Sequence, residues 1–117
     1  MKLQKFEDII AWQKAQDFTV EIYAVFKDNK DWDFRNQVCR ASVSISNNIA
    51  EGSGSFSDNE FASFLNISRR SVFECANILQ IFLHRNIIDA NEKNIIYSQL
   101  VVLSKKITNF RKALQTN

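Results

Sequence analysis

The sequence has no proline, only two glycines, one histidine and two cysteines. All-β folds need turn residues every few positions, so this scarcity excludes them and favours a few long helices with short connections. The lone His84 has no H-x-x-H or H-E-x-x-H partner, which leaves no metal-binding or general-base motif around it. Cys39 and Cys75 both fall on apolar helical stripes. They are expected to be buried thiols rather than a disulfide or a reactive pair. Long apolar runs are missing too, and MKLQKFEDIIAW carries acids where a signal peptide needs an apolar stretch. A cytoplasmic protein with no membrane association is therefore expected. Strong net charge is also lacking: the total is +2. Its spread is uneven, with seven Lys/Arg against nine Asp/Glu in residues 1–58 and eight against four in 59–117.

What remains is helical periodicity. At 117 residues the chain suffices for one domain with a single core. A first helix is expected from about Leu3 to Phe26, with Ala11, Ala15, Phe18, Ile22 and Val25 alternating at +4 and +3. Lys27-Asp-Asn-Lys-Asp31 interrupts it. A second helix, from Asp31 or Trp32 to Glu51, carries Phe34, Val38, Ala41, Ile45 and Ile49, and Gly52 is expected to end it through a positive φ. Ser57-Asp-Asn-Glu60 reads as a capping box opening a third helix, which runs to His84 or Arg85. Its seam is Phe61, Leu65, Ser68, Val72, Cys75, Leu79 and Phe82, and Asn86 is its expected terminator. Asp89-Ala-Asn-Glu92 repeats the capping pattern before a fourth stripe of Ile96, Leu100, Leu103, Ile107, Phe110 and Leu114. Four such helices pack as an all-α, antiparallel up-down-up-down four-helix bundle in a single domain.

Several constellations bear on function. Gly52-Ser-Gly-Ser would offer backbone N–H groups to a phosphate, but no Walker lysine follows and Asp58 and Glu60 would repel an anion. Structural capping fits better. Gln37, Arg40, Ser44, Asn47 or Asn48, and Glu51 form a polar ladder on helix two. Short polar side chains there suggest close contact with another helix or subunit, with a solvated face as the alternative. Glu51, Glu60 and Glu74 have no motif bringing two of them together with a positioning group, so no catalytic site and no cofactor are expected. Lys105, Lys106, Arg111 and Lys112 lie off the apolar seam of helix four, with Arg69 and Arg70 on helix three and Arg40 on helix two. Such cations would track a nucleic-acid backbone, and a ring of identical subunits would multiply the patch. A merely solvated face is the competing reading. Phe6, Trp12, Trp32 and Phe56 at helix ends point to apolar surface covered in a homo-oligomer.

The run Gln37-Val-Cys-Arg-Ala-Ser-Val-Ser-Ile-Ser-Asn-Asn-Ile-Ala-Glu-Gly52 resembles the Q-x-x-R-A-x-x-S-I-x-x-N-I-A-E-G core of a four-helix bundle family. That family is also called the S23 or 23S rRNA intervening-sequence protein family. Phe6-Glu-Asp-Ile-Ile-Ala-Trp12 is similar to its opening F-x-x-L-x-x-W, and Ser71-Val-Phe-Glu74 to its S-x-x-E on helix three. The segment Ser57 to Leu65 is similar to the stretch after its turn. The resemblance implies a homopentameric ring; some members are encoded by inserts within large-subunit ribosomal RNA genes. A related branch comprises accessory proteins of diversity-generating retroelements, whose basic rings engage nucleic acid and a reverse transcriptase. Two departures stand out: Ser55 replaces the usual Arg or Lys after the turn, and Arg70 replaces a glycine before the helix-three serine. The loop after helix one also lacks the usual proline.

Together these readings lead to the expectation of a non-enzymatic, homo-oligomeric RNA- or nucleic-acid-binding protein. The alternative is a structural or protein-interaction ring that binds no nucleic acid. Arg40, Arg69, Arg70, Lys105, Lys106, Arg111 and Lys112 are the candidate contacts to phosphate. Gln37, Ser44, Asn47, Asn48, Glu51 and Gly52 are assigned to the helix end and its interfaces.

Overall fold

A computed structural model describes residues 9–115. The described residues form four helices: α1 Ile10–Phe26, α2 Trp32–Ser53, α3 Asp58–His84 and α4 Ala90–Leu114. The expected residues of helix one before Ile9, Phe6 included, lie outside the described range. The bundle measures 47 × 22 × 19 Å, which suits helices of about 25–40 Å lying side by side. Each helix packs on its neighbours in the order α1–α2, α2–α3, α3–α4 and α4–α1, and no diagonal pair approaches among the described residues.

The direction of packing follows from paired contacts. Thr19 meets Ser42 while Gln16 meets Ser46. Phe34 meets Phe82, Ser44 meets Ser71, and Gly52 lies against Phe61 and Phe64. Phe61 meets Phe110 while Phe73 and Tyr97 line one groove. Along each of these three pairs, position rises on one helix as it falls on the next.

The helix ends are built by side chains. Asp31 caps α2 by accepting from the Phe34 N–H, and Ser57 caps α3 by accepting from the Glu60 N–H at 3.1 Å. Glu60 returns its carboxylate to the Phe56 N–H instead of to Ser57, so only half of the expected box forms. At α4 both halves are present: Asp89 accepts from the Glu92 N–H at 2.7 Å, and Glu92 accepts from the Asp89 N–H at 3.1 Å. Asn86 terminates α3 with φ 59°, and the bonds Asn86 N–H to Leu83 and Ile87 N–H to Phe82 form a Schellman closure.

All seven expected seam residues of α3 are buried, as are Ile96, Leu100, Leu103 and Ile107 of α4. Two expectations need correction. Val25 is 42% exposed, and Phe26 is buried in its place, edge-on to Phe82 with centroids 5.0 Å apart. A straight helix drifts by about 20° per heptad, so by the fourth turn the +4 step from Ile22 stays on the core face. Gly52 does not end α2 through a positive φ: it lies inside the helix, which continues to Ser53, and no glycine has positive φ. A Cβ at Gly52 would stand 2.8 Å from both Phe61 Cδ1 and Phe64 Cβ. The residue is small so that α3 can pass close by.

Candidate nucleic-acid interface

The site has to be assembled from cations that sit on different faces of three helices, α2, α3 and α4. Arg69, on α3, lies with its guanidinium 5.0 Å from the centroid of the Phe73 ring. Phe73, Tyr97, Val101, Ser104 and Lys105 line a groove between α3 and α4, floored by Val72, Ala76 and Leu100. Lys93 stands 4.5 Å above the Tyr97 ring at one end of this groove. Lys112, two turns beyond Lys105 on the same side of α4, is exposed. Among the described residues no carboxylate lines the groove.

The remaining candidates lie elsewhere. Arg70 and Lys106 are exposed, but each is rotated about 100° from its neighbour at 69 or 105. Arg70 therefore points away from the interior, and no close helix packing is lost at that position. Arg111 is half-buried, and its Nε has no hydrogen-bond partner among the described residues. Arg40 belongs to a second groove, of about 570 Å³, between α1 and α2. There it joins Lys27, Arg35, Asn36, Tyr23, Cys39 and Val43, again with no carboxylate in the lining. Lys27 and Arg35 are cations that pattern reasoning missed. Arg35 shares α2 with Arg40, whereas the approach of Lys27 depends on how the end of α1 is set against α2, where Arg35 donates to its carbonyl, and no spacing within one helix reveals that.

Among the described residues one ion pair forms, Arg85 with Asp31 at 2.8 Å. Arg85 also lies over Phe34, so this contact ties the end of α3 to the start of α2. Among the described residues, none of the candidate cations has a carboxylate within pairing distance.

The polar ladder of α2 divides. Gln37, Arg40, Asn47 and Glu51 are exposed. Ser44 instead shares a 2.8 Å hydrogen bond with Ser71 of α3, and Asn48 Nδ2 donates to both the carbonyl and the hydroxyl of Ser44. Behind them, Ser68 Oγ donates 2.7 Å to the Ile45 carbonyl across the same interface. Ser42, fully buried, bonds the Cys39 carbonyl, and Thr19 reaches the Ser42 carbonyl from α1. These hydroxyls serve packing: each of them has its partner within the bundle.

Both thiols are buried and held toward their neutral form, the weaker nucleophile. Burial pushes Cys75 up to about 12, with Glu74 and Cys39 adding to the effect. Burial also raises Cys39, against a smaller opposing pull from Arg35. Among the described residues no cluster of three or more His, Cys, Asp or Glu is placed to hold a metal. No helix there is long and apolar enough to cross a membrane.

Against this geometry, residues 7–109 match the family model of the 23S rRNA-intervening sequence proteins. The chain belongs to that family. A protein of unknown function from the S23 ribosomal protein family of Bacteroides thetaiotaomicron shares the fold, with TM-score 0.82 and 22% identity over 88% of this chain and 99% of that one. At that identity the likeness speaks for the fold. No curated protein matches the chain. The matched span includes the Asn-Ile-Ala-Glu-Gly end of α2, where Gly52 lets α3 pass close by.

Proposed function

We propose that this family member is a non-enzymatic, RNA-associated protein that meets phosphates through unpaired cations on the outside of its bundle. The observation that carries this is the absence of local neutralisation. Arg69, Lys105 and Lys112 lie along one side of the α3–α4 half, and among the described residues none has a carboxylate within ion-pair distance. A surface kept basic only for solubility mixes both signs; here the acids of residues 59–117 are few, and two of them, Asp89 and Glu92, are tied up in a cap. Binding would be electrostatic and largely independent of sequence. Assembly into a ring, a pentamer by family resemblance, would repeat the strip and raise avidity.

A salt titration with structured RNA, run beside light scattering for mass, tests this. Replacing Arg69, Lys105 and Lys112 with Gln should flatten the dependence of log K on log salt by about 2, given roughly 0.7–0.9 per phosphate contact. An oligomer indifferent to RNA at low salt would overturn the proposal. The second reading, a protein-interaction scaffold, draws on Phe56, which is fully exposed at the α2–α3 turn, and on Trp32 at 66% exposure. Those rings would then be where a protein partner, a reverse transcriptase among the candidates, docks.

A further inference from the structure

The α3–α4 groove has a composition that phosphate contact alone does not explain. Phe73 is 56% exposed and Tyr97 38%, on adjacent helices and facing one depression. Large aromatic rings bury well, and the core of this bundle accepts Phe18, Phe26, Phe61 and Phe82. Both groove rings instead stand at the surface with a cation held over them: Arg69 over Phe73 and Lys93 over Tyr97. Val101 and Ser104 leave the space between them open, and Lys105 closes the rim.

The opening is about 180 Å³, well below the roughly 300–1,000 Å³ of a small-molecule pocket. It suits flat rings entering from solvent rather than a whole enclosed ligand. The nearest acid along α3, Glu74, lies one residue past Phe73, on the outer ridge beside Arg70 and away from the groove lining.

We propose that this groove binds unpaired bases of single-stranded RNA, with Phe73 and Tyr97 as stacking platforms and Arg69, Lys93 and Lys105 holding the flanking phosphates. The inference rests on the RNA-associated reading above and adds to it a ligand class and a site. Alternating π-faces and cations fit a strand that alternates bases and phosphates. Stacked bases within a duplex cannot reach such rings, so the groove discriminates single strands from duplexes, whereas free cations alone would not. A second copy of this chain is a poorer occupant. Two such grooves face to face would juxtapose Arg69, Lys93 and Lys105 with their own copies.

The test compares an unstructured oligouridine with a duplex RNA of equal length, using the full chain and Phe73→Leu, Tyr97→Leu and Tyr97→Phe variants. Circular dichroism checks folding, and light scattering checks mass. Stacking of one base on one ring is worth on the order of five- to 150-fold in affinity. Each Leu variant should therefore weaken oligouridine binding at least fivefold, leave its salt slope unchanged, and spare duplex binding; Tyr97→Phe should bind as the parent does. Undiminished oligouridine binding by both Leu variants would overturn this site while leaving the RNA-associated reading intact. No RNA binding by the parent protein at low salt would overturn both. A fall in mass on replacing either ring would show the groove to be a subunit interface, and would also overturn the site.

Discussion

Helix α3 has two unlike sides. Toward α2 it carries Ser68 and Ser71, whose hydroxyls bond Ile45 and Ser44, and near its start it passes over Gly52 at a distance that admits no Cβ. Toward α4 it carries Arg69, Phe73 and Ala76, and a groove opens between the helices. Both sides pack on amphipathic partners of similar length, so the difference lies in side-chain size and polarity. Small hydroxyl residues let two backbones approach and then satisfy each other. A large ring beside a small alanine holds the neighbour off at the rim. The first side is where the fold is closed, and the second is where surface is left for a partner.

The strongest way to break this contrast is to fill the closed side. Gly52→Ala adds a Cβ 2.8 Å from Phe64 Cβ, an atom too near its own backbone to swing away. Overpacking of this kind costs about 1–3 kcal/mol, against up to about 1 kcal/mol gained from helix propensity. The net expectation is a loss of about 1–2 kcal/mol in urea unfolding. Gly54→Ala is the control, since its Cβ meets only the Glu51 carbonyl at an ordinary 3.5 Å. Its stability should stay within about 0.5 kcal/mol of the parent. Equal effects at the two glycines would mean that the α2–α3 approach is not tight.

A smaller effect should appear at high pH. Cys75 is fully buried in the core and its thiol is pushed up from 9.0 to about 12. Above pH 9 the unfolded chain loses this proton and the folded chain keeps it, so the unfolded state is favoured as pH rises, until the folded thiol also ionises near 12. The linkage is about 1.4 kcal/mol per pH unit within that window, or on the order of 1 kcal/mol by pH 10. A Cys75→Ala variant, though less stable at pH 7 through its cavity, should lose less between pH 8 and pH 10 than the parent. Parallel pH profiles would place Cys75 in contact with water.

Much of this arrangement was written into the sequence. Seam residues of α3 and α4, the Asp89 cap and the Asn86 terminator all follow from local rules of spacing and backbone preference. Gly52 did not yield its role, because a glycine that ends a helix and one that lies beneath a neighbour look alike in a single chain. Phe73 stands beside the seam residue Val72, a place the seam pattern did not single out, and half its surface is exposed. Whether such a place is covered depends on how far α4 is rotated about its own axis. The same holds for the cations: spacing placed Lys105 and Lys112 on one side, but the meeting of Arg40 with Lys27 of the neighbouring helix required the tertiary structure.

The smallest expected effect sharpens the contrast most. Phe73→Leu removes an exposed cation–π contact worth about 0.5–1 kcal/mol and returns a few tenths through better helix propensity. Tyr97→Leu does the same opposite Lys93. Each variant should unfold within about 0.5 kcal/mol of the parent, with a midpoint that does not vary with protein concentration any more than the parent's does. A loss above about 1 kcal/mol that grows on dilution would mean that the ring is covered by another subunit. The α3–α4 side would then be as closed in the assembly as the α2–α3 side is within the chain. A small, concentration-independent effect leaves the two rings uncovered in the folded protein, where stability gives no reason for their exposure and recognition does.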